Sequence, residues 1–348
     1  MDANLIKFAF TMKRIRLANL PTKIYRLERL SSELGANIYI KRDDQTGSEL
    51  TGNKVRKLEF EVADAIENGC DMLITCGGIQ SNHCRATVAA ATQMCMKSAV
   101  LLRISEEPPV RGNYFLDRLL GADVKFCNKD EYRHYRQEIM EEMAEHYRKM
   151  GHKPYIIPEG ASNGIGTLGY YNCMQEILQQ EKQMGITFNT VVVATGSGGT
   201  IAGLHLANEL GKLGKRCIGI AVCDDVKYFT DIADRISNDA KKLLKEYLDT
   251  EDYSNATLLR EHIEINDKYV GIGYALSRPE ELEFIRKIAR LEGLILDPVY
   301  TGKAMYGLWN ELQKDADPKT AINPEDNVLF IHTGGLFGLF PISDDFPV

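Results

Sequence analysis

The chain has 348 residues, 44% of them hydrophobic and 26% charged. That is a globular profile with enough chain for two lobes, and no apolar run is long enough to span a bilayer. The net charge of −7 argues against nucleic acid as a partner.

Residues 1–13 contain Phe8-Ala9-Phe10 but no complete apolar signal region or cleavage site. The basic Lys7, Lys13, Arg14 and Arg16 leave a short organellar presequence open, while Asp2 and the missing Ser-rich stretch count against one. Thr46-Gly47-Ser48-Glu49-Leu50-Thr51-Gly52 is polar and punctuated by glycine, so it reads as a loop. Beyond it Val55, Leu58, Val62, Ala65 and Ile66 recur at helical spacing. Lys54 then stands in the first turn of a helix, where the positive end of the macrodipole makes a lysine mildly misplaced. That field, and any burial, would lower its pKa, which is what an amine needs to condense with an aldehyde. Taken alone, a lysine at a helix start is more often a solvated surface charge.

Residues 71–75 read as a strand, followed by Gly77-Gly78-Ile79-Gln80-Ser81-Asn82-His83 and an Ala-rich helix. One of Ser81 and Asn82 would suffice as an N-cap. Four consecutive polar side chains at a helix N-terminus read instead as a carboxylate or oxyanion cradle. The plain alternative for His83 is a first-turn residue facing solvent. The series continues with strands at 99–104 and 124–127 and helices at 82–96, 112–120 and 131–150. Gly160-Ala161-Ser162-Asn163-Gly164 is a plausible crossing between lobes.

A second series has strands at 191–194, 217–222 and 328–332, and helices at 167–184, 201–213, 228–248 and 279–291. The alternation implies an α/β protein with mostly parallel sheets. Thr195-Gly196-Ser197-Gly198-Gly199-Thr200 joins a β-branched strand to a helix N-terminus. Outward N–H groups, glycines that permit close approach, and the hydroxyls of Ser197 and Thr200 together make an anion site. No Lys-Ser/Thr pair follows the glycines and the third glycine of the dinucleotide fingerprint is missing, so a single phosphate is the expected ligand. Glu251-Asp252-Tyr253-Ser254-Asn255 reads as an exposed loop. The 8 cysteines contain no C-x-x-C pair and read as reduced thiols of a cytoplasmic protein, not a disulfide frame or zinc site. No metal is expected.

Together the lysine, the polar turn and the phosphate loop resemble the pyridoxal-phosphate enzymes of the tryptophan synthase β-subunit type (fold type II). Within that group the chain is similar to the D-cysteine desulfhydrase and ACC (1-aminocyclopropane-1-carboxylate) deaminase family. Lys41-Arg42-Asp43-Asp44, Gly52-Asn53-Lys54-Val55-Arg56-Lys57-Leu58-Glu59, Gly78-Ile79-Gln80-Ser81-Asn82-His83 and Leu296-Asp297-Pro298-Val299-Tyr300 carry the match, which runs from Leu20 to Gly335. The resemblance implies two open, mostly parallel αβα lobes with the smaller inserted in the larger. Residues 55–156 would form the small domain, and 1–54 with 157–348 the large pyridoxal 5'-phosphate-binding domain.

The resemblance also implies roles. Lys54 matches the Schiff-base lysine and leading base. Gly196, Ser197, Gly198, Gly199 and Thr200 match the phosphate loop, which Lys57 would approach unless it is a surface charge. Asn82 matches the residue beside the pyridine 3-oxygen, and Ser81, Asn82 and His83 the substrate-carboxylate turn. Tyr274 and Tyr300 match two active-site tyrosines, with Tyr300 the leading acid or orienting group and Ser81 a further catalytic candidate; which of Lys54 and Tyr300 takes the Cα proton stays open. Thr301 and Thr333 are candidates for the pyridine-nitrogen side. ACC deaminase typically has glutamate at the position of Thr301 and glutamine at that of His83, and this chain departs from it at both. The expected activity is β-elimination from D-cysteine, giving pyruvate, ammonia and hydrogen sulfide. ACC deamination and L-cysteate desulfonation are the alternatives within the family, and a phosphate-ligand-binding protein the alternative outside enzymes. A small amino acid is the expected substrate and a homodimer the expected assembly.

Overall fold

A computed structural model describes residues 13–106, 108–245 and 256–346. The possible presequence, the loop at 251–255 and the last residues of the helix expected over 228–248 lie outside the described residues. Two sheets organise the chain. The larger has six strands in the order β1-β2-β10-β7-β8-β9. These are β1 (Ile24–Arg26), β2 (Asn37–Lys41), β7 (Thr190–Thr195), β8 (Arg216–Ala221), β9 (Glu264–Asn266) and β10 (Asn327–Ile331). Only β1 pairs antiparallel in this sheet. The smaller sheet is wholly parallel, in the order β5-β4-β3-β6, with β3 (Met72–Gly78), β4 (Lys97–Arg103), β5 (Asp123–Cys127) and β6 (Pro154–Ile156).

The helices are α1 (Glu28–Leu34), α2 (Asn53–Glu67), α3 (Asn82–Gln93), α4 (Gly112–Leu119), α5 (Lys129–Lys149) and α6 (Gly164–Met184). They continue with α7 (Gly199–Gly211), α8 (Val226–Lys245), α9 (Pro279–Glu292), α10 (Thr301–Glu311) and α11 (Leu336–Leu339). Two mostly parallel sheets flanked by helices are the α/β architecture that the alternation implies. No described helix is long and apolar enough to cross a membrane.

Central strands are unbroken apolar runs because helices cover both faces. All six residues of β7 are buried. α6 and α7 cross closely, since an added Cβ on Gly203 would lie 2.5 Å from the carbonyl of Thr167. α1, α10, α11, β1, β2, β6 and β9 were not foreseen. β1, β6 and β9 have three residues each, too few to show an alternation. α10 carries Gly302 and Gly307, which argue against a helix. Gly307 is required there by packing, because a Cβ would come within 2.9 Å of the Tyr269 ring.

α2 departs from a simple amphipathic helix. Val55, Leu58, Val62 and Ala65 are buried as their spacing predicts, but Ile66 is 45% exposed. Arg56, Lys57, Glu59 and Glu61 are buried instead. Arg56 is buried in an ion-pair network. Arg56 donates from Nε and Nη2 to Asp43, both at 2.8 Å, and to Glu176 at 2.9 and 3.0 Å. Asp43 also accepts from Thr22 at 2.7 Å and Tyr170 at 2.6 Å. Lys41 at the end of β2 bonds Glu176 at 2.6 Å.

Burial by itself raises the pKa of Asp43, yet Arg56, Lys41 and the Tyr170 hydroxyl hold it down to about 2. Breaking a buried pair leaves an uncompensated charge, at a cost of about 3–5 kcal/mol. Asp43→Ala should therefore lower unfolding stability by about that amount, read as a lower urea midpoint with an unchanged m-value. A loss well under ~1 kcal/mol would show that Arg56 finds other partners.

Candidate active site

The cleft opens at the C-terminal ends of the strands, where ligand sites of open α/β sheets lie. Lys54, Ser81, Asn82, His83, Gly196, Ser197, Gly198, Thr200, Tyr274, Tyr300 and Thr333 all line it. Segments far apart in the chain thus converge on one cavity.

Lys54 is the second residue of α2, as its spacing predicts. Its amine has no hydrogen bond or ion pair among the described residues. Desolvation lowers its pKa to about 8, against the opposing pull of Glu159. The helix that carries it is pinned at its start. Asn53 N–H donates to the carbonyl of Thr333 at 3.0 Å, and the Asn53 amide donates to Thr200 Oγ1 at 3.1 Å. Gly52 has φ +99, and a Cβ there would lie 2.8 Å from the Thr333 carbonyl.

The polar turn is built on α3. Ser81 caps the helix, its Oγ accepting from Cys84 N–H at 3.1 Å. Asn82 Oδ1 accepts from the Asn113 amide at 3.0 Å, which leaves the Asn82 NH₂ as the donor facing the cleft. Asn113 Oδ1 in turn accepts from Arg85 Nε at 2.9 Å. His83 does not face solvent. It is 2% exposed, with Nε2 2.8 Å from the Thr75 hydroxyl. Burial, together with Lys54 and Lys57, pushes its pKa well down, so the ring is neutral near pH 7.

The candidate phosphate loop follows β7 and opens α7. Gly198 has φ +83, a conformation that glycine adopts freely. Its missing Cβ would point at Ile232, 2.7 Å away, rather than into the cleft. Glycine is required there by backbone and packing. Gly199 does not line the cleft, and its N–H donates to Ser162 Oγ at 3.2 Å. Ser162 Oγ also lies 2.8 Å from Ser197 Oγ.

Lys57 is buried behind this loop, not on the surface. Its Nζ donates to the Gly160 carbonyl at 3.2 Å and approaches Ser162 Oγ at 3.5 Å. Burial lowers its pKa well below the ordinary value, Lys54 adds to that, and Glu61 opposes it.

Tyr274 and Tyr300 share a hydrogen bond at 2.6 Å. Burial pushes Tyr274 up to about 12, against the Tyr300 hydrogen bond, and raises Tyr300 well above the usual range together with Tyr274. Both are protonated donors near neutrality. Thr333 lines the cleft, but Thr301 does not. The Thr301 hydroxyl donates to Asp297 Oδ1 at 2.7 Å and accepts from Asp297 N–H at 2.8 Å. It locks the turn that presents Tyr300.

Asn53, Glu159, Gly160 and Ser162 were missed as site residues. Glu159 lines the cleft and accepts from the Tyr132 hydroxyl at 2.7 Å. For Gly160 and Ser162 the sequence signal was the expected crossing at 160–164, and Glu159 had none.

The residues present suit a phosphate-bearing aldehyde. An unpartnered lysine of lowered pKa, a glycine turn with hydroxyls at a helix N-terminus and an amide donor face one space. A family model described as "Pyridoxal-phosphate dependent enzyme" matches residues 15–334. The chain belongs to this family. It is a pyridoxal 5'-phosphate-dependent enzyme. A bifunctional D-cysteine desulfhydrase/1-aminocyclopropane-1-carboxylate deaminase of Arabidopsis thaliana is 44% identical, over 93% of this chain and 78% of the relative. A D-cysteine desulfhydrase of Serratia proteamaculans is 37% identical, over 94% of this chain and 95% of the relative. The crystal structure of an ACC deaminase homologue superposes with a TM-score of 0.86 at 36% identity, covering 99% of this chain and 98% of the other.

Two outcomes follow for Lys54. Only the neutral amine condenses with an aldehyde, and its fraction rises with pH through about 8. Cofactor uptake by the apo-protein should therefore quicken about tenfold per pH unit below that value and level off above it, followed by absorbance. A rate that keeps climbing at the same slope to pH 10 would mean an unshifted amine. Borohydride reduction and peptide mapping should place the cofactor on Lys54, and Lys54→Ala should abolish turnover.

Proposed function

We propose that the protein is a lyase that eliminates hydrogen sulfide from D-cysteine, releasing pyruvate and ammonia. The observation that carries this reading is the pair of protonated tyrosines, 2.6 Å apart, in the cleft that holds Lys54. A β-elimination needs a base for the Cα proton and a donor for the departing thiolate. The cofactor withdraws electrons from the substrate's Cα. Lys54, with its pKa lowered to about 8, is the base. Tyr300, held protonated by burial and bonded to Tyr274, is the donor to sulfur. The Ser81 hydroxyl and the N-terminal end of α3 receive the substrate carboxylate, with neutral His83 shaping that side.

ACC deamination is the second reading, supported by the double name of the Arabidopsis relative. L-cysteate fits less well. Among the described residues lining the cleft Lys54 is the one cation, and the Glu159 carboxylate would repel a sulfonate. The match to the family further supports a homodimer, with residues 55–156 as the small domain and 1–54 with 157–348 as the large one. A cytoplasmic location is our reading. The word "mitochondrial" in the Arabidopsis relative's name supports an organelle as the other choice.

Steady-state assays on both cysteine enantiomers, ACC and L-cysteate test the assignment. D-cysteine should have the highest kcat/KM, exceeding ACC by roughly tenfold or more, the scale of one mismatched buried polar partner. Tyr300→Phe should lower kcat for D-cysteine by roughly 10²- to 10⁴-fold, the usual loss of a general acid. A parent enzyme that prefers ACC would overturn the proposal.

A further inference from the structure

The segment that carries Tyr274 is weakly held by its own backbone. Gly271 has φ +67, Gly273 φ +133 and Ala275 φ +59. The last is a non-glycine residue in the left-handed region, which costs energy unless its surroundings impose it. The flanking Ile272 and Leu276 are 61% and 54% exposed, so burial does not anchor them. Two backbone hydrogen bonds close the segment, Val270 N–H to Asp267 and Leu276 N–H to Gly273, both long at 3.3 Å. Yet the Tyr274 hydroxyl sits 2.6 Å from that of Tyr300. Something outside the segment must hold it.

Lys303 is placed to do so. It is the third residue of α10, whose start presents Tyr300 to the cleft. Its side chain is fully buried and forms no ion pair among the described residues. Instead Nζ donates to the carbonyl of Val270 and to that of Gly273, each at 2.7 Å. The second carbonyl belongs to the peptide that joins Gly273 to Tyr274. A lysine near a helix N-terminus opposes the macrodipole, and burying its charge is costly without strong partners. Charge-assisted bonds to two carbonyls supply them. Arg103 completes the clamp from the small sheet, its guanidinium 5.1 Å from the centre of the Tyr274 ring.

We infer that Lys303 is a positioning residue of the reaction: it fixes the Gly273–Tyr274 peptide and through it sets the Tyr274 hydroxyl against Tyr300. One helix start would thus hold both members of the pair, Tyr300 directly and Tyr274 through two carbonyls. The inference rests on the role proposed above for the tyrosines.

A double-mutant cycle on the holoenzyme tests it. Lys303→Met keeps an unbranched apolar stem of nearly the same length and removes the donors. It should lower kcat roughly 10- to 100-fold, the loss expected when a catalytic group shifts by about 1 Å, with KM and cofactor affinity changed less than threefold. In a Tyr274→Phe background the same change should cost less than threefold, because the group that Lys303 positions is gone. Amide exchange should quicken at 271–276 in Lys303→Met and stay unchanged at 196–200. Equal losses in both backgrounds, or unchanged exchange at 271–276, would overturn the inference. If Lys303→Met does not fold, Lys303→Gln, which keeps a donor on a shorter arm, enters the same cycle and is read by the same criteria. The cycle uses whichever substrate the parent turns over best. A parent inactive on every amino acid offered would refute the lyase reading and leave the exchange result to decide the tether.

Discussion

The buried pair of Asp43 and Arg56 is the constraint on which the site depends. Arg56 lies two residues beyond Lys54 on α2, and two residues on a helix point about 200° apart. The guanidinium is fastened on one side by Asp43 and Glu176, so the amine is delivered to the other side, into the cleft. Asp43 follows β2 and Glu176 belongs to α6, and both β2 and α6 pack in the large layer around the six-stranded sheet. One ion-pair network therefore ties the start of α2 to that layer. The later half of α2 packs Val62 and Ala65 with Leu73 and Ala86 of the smaller sheet's layer. The helix is the part shared by both layers, and Lys54 is placed near the anchored end.

Buried cations recur around the cleft, and most are spent on backbone carbonyls. Arg85 donates to the carbonyls of Glu49 and of Thr51, the latter at 2.9 Å, and so holds the loop that leads into Lys54. Lys57 holds the carbonyl of Gly160 behind the phosphate loop. Lys303 holds those of Val270 and Gly273. Loops carry carbonyls with no ladder to join, and a buried ammonium or guanidinium satisfies several at once. Lys54 differs in having no such partner. A charged group is kept at a cost when it is buried without one, and that cost is what makes its amine available.

Much of this was legible in the residues. The buried strand β7 declares itself by a β-branched run, and α2, α3 and α7 by spacing and the loops that precede them. The residues of Ser81 to His83 and Gly196 to Thr200 stand at strand–helix junctions that a single chain can reveal. What sequence could not supply was direction. Gly198 looks like a point of close approach, yet its missing Cβ faces Ile232. Thr301 follows Tyr300 directly, yet its hydroxyl turns back to Asp297. Lys57 and Arg56 are charges on a helix face that spacing alone assigns to solvent, and both are buried. Ser162 and Glu159 come from a short connection whose composition is that of any turn. Their part in the cleft depends on tertiary closure, which has no local signature.

The electrostatics of the cleft reduce to one effect acting on two kinds of group. Burial disfavours whichever form is charged. For Lys54 the charged form is the acid, so burial lowers its pKa to about 8 and frees the amine. For Tyr274 and Tyr300 the charged form is the base, so the same burial raises them and keeps both as donors. For His83 it removes the positive form. In the proposed reaction, burial alone thus prepares both a base and an acid along one cleft near neutral pH. The Glu159 carboxylate works against this separation, since it favours the charged form of Lys54. The balance between burial and Glu159 sets where the amine titrates.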